Sequence, residues 1–407
     1  MIIKKCRSCK SNKIKNLFTL GKLSFTGKFP NKEKENIPKA ELGLVICKEC
    51  ELVQLSRNFN LKYLYGLDYG YRTGINKTMV DHMKSIERKA SKILNLKKND
   101  AILDIASNDG TLLNLFNKKI FKVGIDPTIK KFNNYYKDIN IGISNFFSKK
   151  NVRKKTKKKF KLITILSVFY DIENPNLFLR DVKDLLAENG ILILEQADLL
   201  SIIKFKMFDT ICHEHLEYYS HKVIANLIEF NGMKIFDIRF NDINGGSTQY
   251  YICKKECKNF QINKNKISKI LKNERIYQLN NEKTFRLFFQ NINRVKIKLL
   301  KFLKKIKKEN KVIHGYGAST KGNVLLQYFG INRNFVEYIS DRNPKKDGIY
   351  TPNTKIKIIN ESRSRELEPD YYLVLPWHFK KEILIIKKII RKKGTKFIFP
   401  LPKLEIC

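Results

Sequence analysis

The 407 residues carry 81 Lys and Arg against 39 Asp and Glu, a formal net charge of +42, with 43% hydrophobic residues and a single Trp. That apolar fraction excludes wholesale disorder, and the length excludes a single small module, pointing to two or three domains of roughly 100–200 residues each. Only 15 of the basic residues are Arg, and Lys, Asn and Ile recur together throughout the chain, so the charge reads as a compositional bias and is weak evidence for a polyanion partner.

The apolar stretches, such as Gly190 to Leu194 and Tyr371 to Trp377, fall short of the ~20 residues a membrane span needs. Met1 to Lys5 runs straight into Cys6 without the apolar core of a secretory signal, so a cytoplasmic protein without a membrane span is expected. In a reducing compartment the eight cysteines are expected to be metal ligands or buried thiols.

Two knuckles open the chain, Cys6-Arg-Ser-Cys9 and Cys47-Lys-Glu-Cys50, separated by a Gly- and Pro-containing segment. Two such pairs present four thiolates in the tetrahedral arrangement that Zn²⁺ prefers, with no open position, so Cys6, Cys9, Cys47 and Cys50 are assigned to a structural zinc. Cys212, Cys253, Cys257 and Cys407 lack that spacing and are assigned no metal.

An aromatic stretch, Tyr63 to Arg72, is expected to be a linker, followed by a helix over Thr78 to Leu96 with apolar residues every three or four positions. From Ala101 the pattern alternates: strand to Ile105, turn Ser107 to Gly110, helix Thr111 to Phe116, strand Phe121 to Ile125. A strand at Leu162 to Leu166, a helix around Leu177 to Leu186 stopped by Glu188-Asn-Gly190, and a strand Ile191 to Glu195 continue it, as in a parallel α/β sheet. The basic cluster Lys149 to Lys161 reads as a solvated loop. Lys264 to Lys311 reads as a helical bridge with an apolar stripe of Leu299, Leu300, Leu303 and Ile306. A second α/β unit starts at Lys311, turns through Gly315 to Gly322, and has strands near Val336 to Ser340, Tyr371 to Leu375 and Lys396 to Phe399. The expected domains are therefore 1–70, 71–240, a bridge at 241–310, and 311–407.

In the first turn, Ala106, Asn108 and Gly110 allow close backbone approach at a helix N-terminus, and Asp126 ends the next strand where an acid accepts bonds from ribose hydroxyls. That pocket suits a dinucleotide or S-adenosylmethionine. The loop lacks the full G-x-G-x-x-G fingerprint, which favours S-adenosylmethionine. Asp209 to His221 gathers three of the six histidines with Glu214, Glu217, Tyr218 and Tyr219, a density beyond that of a core helix.

In order, the Cys knuckles, Tyr69-Gly-Tyr71-Arg72, Leu103 to Gly110, His213-Glu-His215, Asn244-Gly-Gly-Ser247, Gly315 to Asn323 and Leu375-Pro-Trp-His-Phe379 resemble the nucleotide-sugar C-methyltransferases across nearly the whole chain. The resemblance implies an α/β fold: a class I methyltransferase Rossmann-like domain with a small N-terminal zinc module and a second Rossmann-like, substrate-binding C-terminal domain. It implies His215 as general base, Glu214 beside it, and Tyr71 or Tyr218 as assisting hydroxyls. Arg72, Asn244, Ser247, Lys321 and Asn323 are implied in binding a nucleoside-diphosphate 4-keto-deoxysugar. This chain departs from the family at Cys212, where members often have Tyr, and at Phe169-Tyr170-Asp171, where they have a His. The competing expectations are an O-methyltransferase of a sugar or capsule precursor, and a zinc-containing basic protein binding nucleic acid through Lys149 to Lys161 and Lys296 to Lys311.

Overall fold

A computed structural model describes residues 1–65, 71–390 and 394–407; part of the expected linker, residues 66–70, lies outside the described residues. Strands β1 (Ile14–Ser24), β2 (Lys39–Cys47) and β3 (Val53–Leu55) form an antiparallel meander in which Cys47 ends β2 and the second knuckle turns into β3.

The middle unit opens with the helix Lys77–Leu94. Asn76 caps it by accepting from the Met79 amide, and Met79, Met83, Ile86, Ala90 and Leu94 form its buried stripe. Then come β4 (Ala101–Ile105), β5 (Phe121–Ile125), β6 (Ile141–Ile143), β7 (Phe160–Leu166) and β8 (Leu186–Ala197), all parallel. Next, β9 (Glu217–Tyr218) leaves this unit and pairs with β3, completing the N-terminal sheet. The chain returns with β10 (Met233–Asn241) and β11 (Ser247–Lys254), and β11 lies antiparallel against β8. The resulting order, β10-β11-β8-β7-β4-β5-β6, is the class I methyltransferase arrangement, and the strand order reverses between β4 and β7.

The third unit has β12 (Ile313–Tyr316), β13 (Tyr338–Asp341), β14 (Lys357–Asn360), β15 (Tyr371–Val374) and β16 (Lys396–Phe399) in parallel, with β17 (Glu405–Ile406) antiparallel at the edge. Its order, β14-β13-β12-β15-β16-β17, is Rossmann-like.

Three sequence expectations need correction. Glu188-Asn-Gly190 is not a helix stop. The helix Pro175–Leu185 ends before it, and Ala187 to Gly190 bulge out of β8 between Leu186, paired with Phe160, and Ile191, paired with Leu162; the Phe160 carbonyl oxygen would sit 2.8 Å from a Cβ at position 190. Within the supposed loop Lys149 to Lys161, Lys149–Arg153 form a short helix capped by Ser148 and anchored by buried Val152. The stretch 241–310 holds β11, a buried strand of the middle sheet, before the helices Lys264–Tyr277 and Glu282–Lys308.

The helix Glu282–Lys308 buries Phe285, Phe288, Ile292, Val295, Leu299, Leu303 and Ile306, while Leu300 is only half-buried. Phe289 of that helix stacks on Phe18 of β1 at 4.9 Å. One continuous core thereby joins the N-terminal sheet, this helix and the C-terminal sheet, and two further cores cover the faces of the middle sheet. No helix among the described residues is long and apolar enough to cross a membrane.

Candidate active site and zinc centre

The sulfurs of Cys6, Cys9, Cys47 and Cys50 lie within 4.8 Å of one another, with Cys6 to Cys50 and Cys9 to Cys47 each at 3.5 Å. Four soft donors converging from two turns fit Zn²⁺, and the Gln54 amide donates to the Cys6 sulfur at 3.3 Å as an outer partner.

A cavity of about 1190 Å³ opens where the three units meet, at the carboxyl ends of β4, β7, β8 and β12. Ala106, Asn108, Asp126, Tyr71, Arg72, Glu214, His215, Asn244 and Lys321 all line it. Gly110, Tyr218, Ser247 and Asn323 do not. Gly110 caps the helix Thr111–Leu115 at φ 72°. Ser247 donates to the Ile243 carbonyl at 2.9 Å. Asn323 donates to the Thr26 carbonyl at 2.7 Å. The Tyr218 hydroxyl is buried without a partner among the described residues.

The first turn is tied to itself. Ala106 and Asn108 adopt left-handed φ values of 60° and 49°, a cost that persists where surrounding bonds over-determine the backbone. Asp126 Oδ2 accepts from the Asn108 amide at 3.0 Å, and Oδ1 accepts from the Thr128 amide and hydroxyl at 2.7 and 2.5 Å. Asn108 Oδ1 accepts from the Thr73 amide at 2.9 Å, which binds the entry segment to the turn. Arg72 donates from Nε to Asp109 at 3.0 Å and stacks on Tyr135 at 4.1 Å, which fixes its guanidinium against the turn. Beneath, burial pushes the Asp104 carboxyl up to about 7.

His215 sits on the opposite wall. Its Nδ1 is 2.8 Å from the Thr210 carbonyl, which only accepts, so Nδ1 carries the proton and Nε2 keeps its lone pair. Burial, and then the Lys321 ammonium, push the His215 pKa down to about 3, so the ring is neutral. Tyr170 packs on the ring at 4.3 Å between centroids. Burial raises the Glu214 carboxyl. His213 turns away into a wall of Phe25 and Phe59, with Nε2 3.3 Å from the Ala40 carbonyl.

From the C-terminal unit, Ser319 caps the helix Thr320–Phe329 by accepting from the Gly322 amide at 3.0 Å, and Lys321 donates to the Asn244 carbonyl at 3.0 Å. Asp341 Oδ2 accepts from the Ala318 amide at 2.6 Å. Lys346 donates to the Ala318 carbonyl at 2.5 Å.

Sequence reasoning missed several wall residues. Tyr170 and Asp171 were noted only as a departure from the family. Asp171 is buried, accepts from Tyr65 at 2.7 Å, and is driven well above the ordinary carboxylate range by desolvation. Glu195 joins His82 at 2.7 Å and accepts from Asn241 and Gln249. His378 lines the cavity with Nδ1 unpartnered among the described residues. Only the position of His378 within Leu375 to Phe379 signalled involvement.

Comparison with known proteins agrees with this architecture. Residues 6–65 match a zinc binding domain, 79–237 a methyltransferase domain and 242–402 the C-methyltransferase C-terminal domain. C-methyltransferase NovU of Streptomyces niveus is 26% identical over 98% of this chain and 96% of its own length. Among solved structures, an S-adenosylmethionine-dependent methyltransferase of Clostridium acetobutylicum ATCC 824 overlays 43% of this chain and 92% of its own, with 13% identity and a TM-score of 0.35. The plantazolicin methyltransferase BamL overlays 44% of this chain and 87% of its own, with 14% identity and a TM-score of 0.36. With its three domain matches tiling residues 6–402, the chain is similar to the C-methyltransferases along its length and is an S-adenosylmethionine-dependent methyltransferase with a zinc-binding N-terminal domain.

Proposed function

We propose that the chain methylates the carbon next to the ketone of a nucleoside-diphosphate 4-keto-deoxysugar. The observation that carries this reading is the His215 ring, held neutral with Nε2 as its basic nitrogen in a cavity between an acidic turn and a cationic one. The ketone acidifies the neighbouring C–H, so a positioned imidazole suffices to take the proton. Glu214, its carboxyl raised by burial, stands beside the base to donate to the developing enolate oxygen when protonated, and Tyr71 lines the cavity from the Asn108 side; Tyr218 stands behind the cavity and serves packing.

S-adenosylmethionine supplies the electrophilic methyl when bound. Asp126 Oδ2 carries a single bond and retains a lone pair for a ribose hydroxyl, while Ala106 and Asn108 bring the backbone close. The capped N-terminus at Ser319 to Lys321, with the Lys321 ammonium, suits the diphosphate. A diphosphate there offsets the cation that lowers His215, raising the base toward its working range once substrate is seated.

The test is calorimetric titration of the zinc-loaded protein with S-adenosylmethionine, followed by a mass-spectrometric screen of nucleotide 4-ketosugars. A one-methylene gain, placed on carbon by NMR, is the expected result. A methyl on oxygen replaces this reading with O-methyl transfer, and no binding of S-adenosylmethionine overturns it.

A further inference from the structure

The segment that follows β1 leaves the N-terminal sheet and crosses the cavity wall. It is pinned to the helix Thr320–Phe329 at two points. The Ser24 amide donates to Gln327 at 2.8 Å and Gln327 donates back to the Ser24 carbonyl at 3.1 Å, while Asn323 donates to the Thr26 carbonyl. On its other side Phe25 packs on His213 at 4.6 Å. Fixed from both sides, the strap presents to Glu214 the Thr26 hydroxyl, 3.4 Å from Oε2, and the bare backbone of Gly27.

Gly27 is in contact with that carboxyl. A Cβ at position 27 would lie 2.3 Å from Glu214 Oε1, far inside van der Waals distance. The backbone there is outside the left-handed region, so space and not φ demands glycine. Thr26 is fully buried, and Glu214 is 5% exposed.

We infer that Thr26 and Gly27 are positioning residues that set the Glu214 carboxyl in the cavity, so that the zinc module supplies part of the active-site wall. The inference rests on the role proposed above for Glu214. A side chain at position 27 pushes the carboxyl off the Thr26 hydroxyl, whereas shortening the acid by one methylene withdraws the oxygen that the new Cβ meets.

The experiment is a double-mutant cycle of Gly27→Ala and Glu214→Asp in the full, zinc-loaded chain, reading kcat, KM and S-adenosylmethionine affinity. Gly27→Ala should lower kcat about tenfold or more while zinc content and S-adenosylmethionine binding hold. In the Glu214→Asp background the same change should cost little. Equal losses in both backgrounds, or an unchanged kcat in Gly27→Ala, overturn the inference. If the wild type methylates no ketosugar, the proposed function fails, and the same contact is read by thermal unfolding. Gly27→Ala should then lower Tm in the wild type and have a much smaller effect with Glu214→Ala; equal shifts refute the contact.

Discussion

Two strand–turn–helix junctions face each other across the cavity and use charge in opposite ways. The junction after β4 gathers carboxylates, with Asp104, Asp109 and Asp126 all buried, and ties each to neighbouring amides, hydroxyls or Arg72. The junction after β12 offers Lys321, with Arg342 and Lys346 close behind, and its acid Asp341 is bonded to the Ala318 amide. On the function proposed above, the same backbone device would take a hydroxyl-bearing, positively charged ligand on one side and an anion on the other. Which ligand a Rossmann-like turn takes is decided by the side chains at the strand ends, and His215 stands where the two meet.

The largest expected effect breaks the link between the halves. His215→Ala should lower kcat by roughly 10²–10⁴-fold and abolish solvent deuterium exchange at the acidic carbon while S-adenosylmethionine still binds; retained exchange would move the base elsewhere. Removing an anchor on one side should leave the other untouched. Asp126→Ala should weaken S-adenosylmethionine by about 10–100-fold in calorimetry with nucleotide affinity preserved. Lys321→Met should raise KM for the nucleotide sugar about tenfold without changing S-adenosylmethionine affinity. The same variant tests the electrostatics. With His215 as the proposed base, acting when neutral, kcat/KM should fall as pH drops through its pKa of about 3; deleting the neighbouring cation should move that acid limb upward, and a limb that stays or moves down refutes the coupling. The smallest effect is a severalfold loss of nucleotide-sugar affinity at high salt, with S-adenosylmethionine affinity nearly flat.

Much of the scaffold was legible because its signals are local. The bounds of β4, β5 and β16 coincide with short apolar runs between turn residues. β9 was not legible, since two residues carry no periodicity and their partner strand β3 is remote in sequence. The site divides in the same way. The crowding around His215 and the turn before Asp126 announce themselves by composition. The hold of Gly27 on Glu214 depends on two segments meeting only in the fold, and no spacing encodes it. Ser247 and Asn323 show the converse: both stand in recognisable motifs, yet the Ser247 hydroxyl and the Asn323 amide nitrogen serve backbone carbonyls outside the cavity.

The pairing of β9 with β3 has a consequence for the order in which the protein is made. All four cysteines lie between positions 6 and 50 and are synthesised before any strand of the other two sheets, so they can close on a cation early. The outer edge of β3 stays unfilled until Glu217 and Tyr218 have been synthesised, after most of the methyltransferase sheet. The unit begun first is therefore completed late, and cut away from the rest of the chain it would expose a bare strand edge ready to pair with another copy.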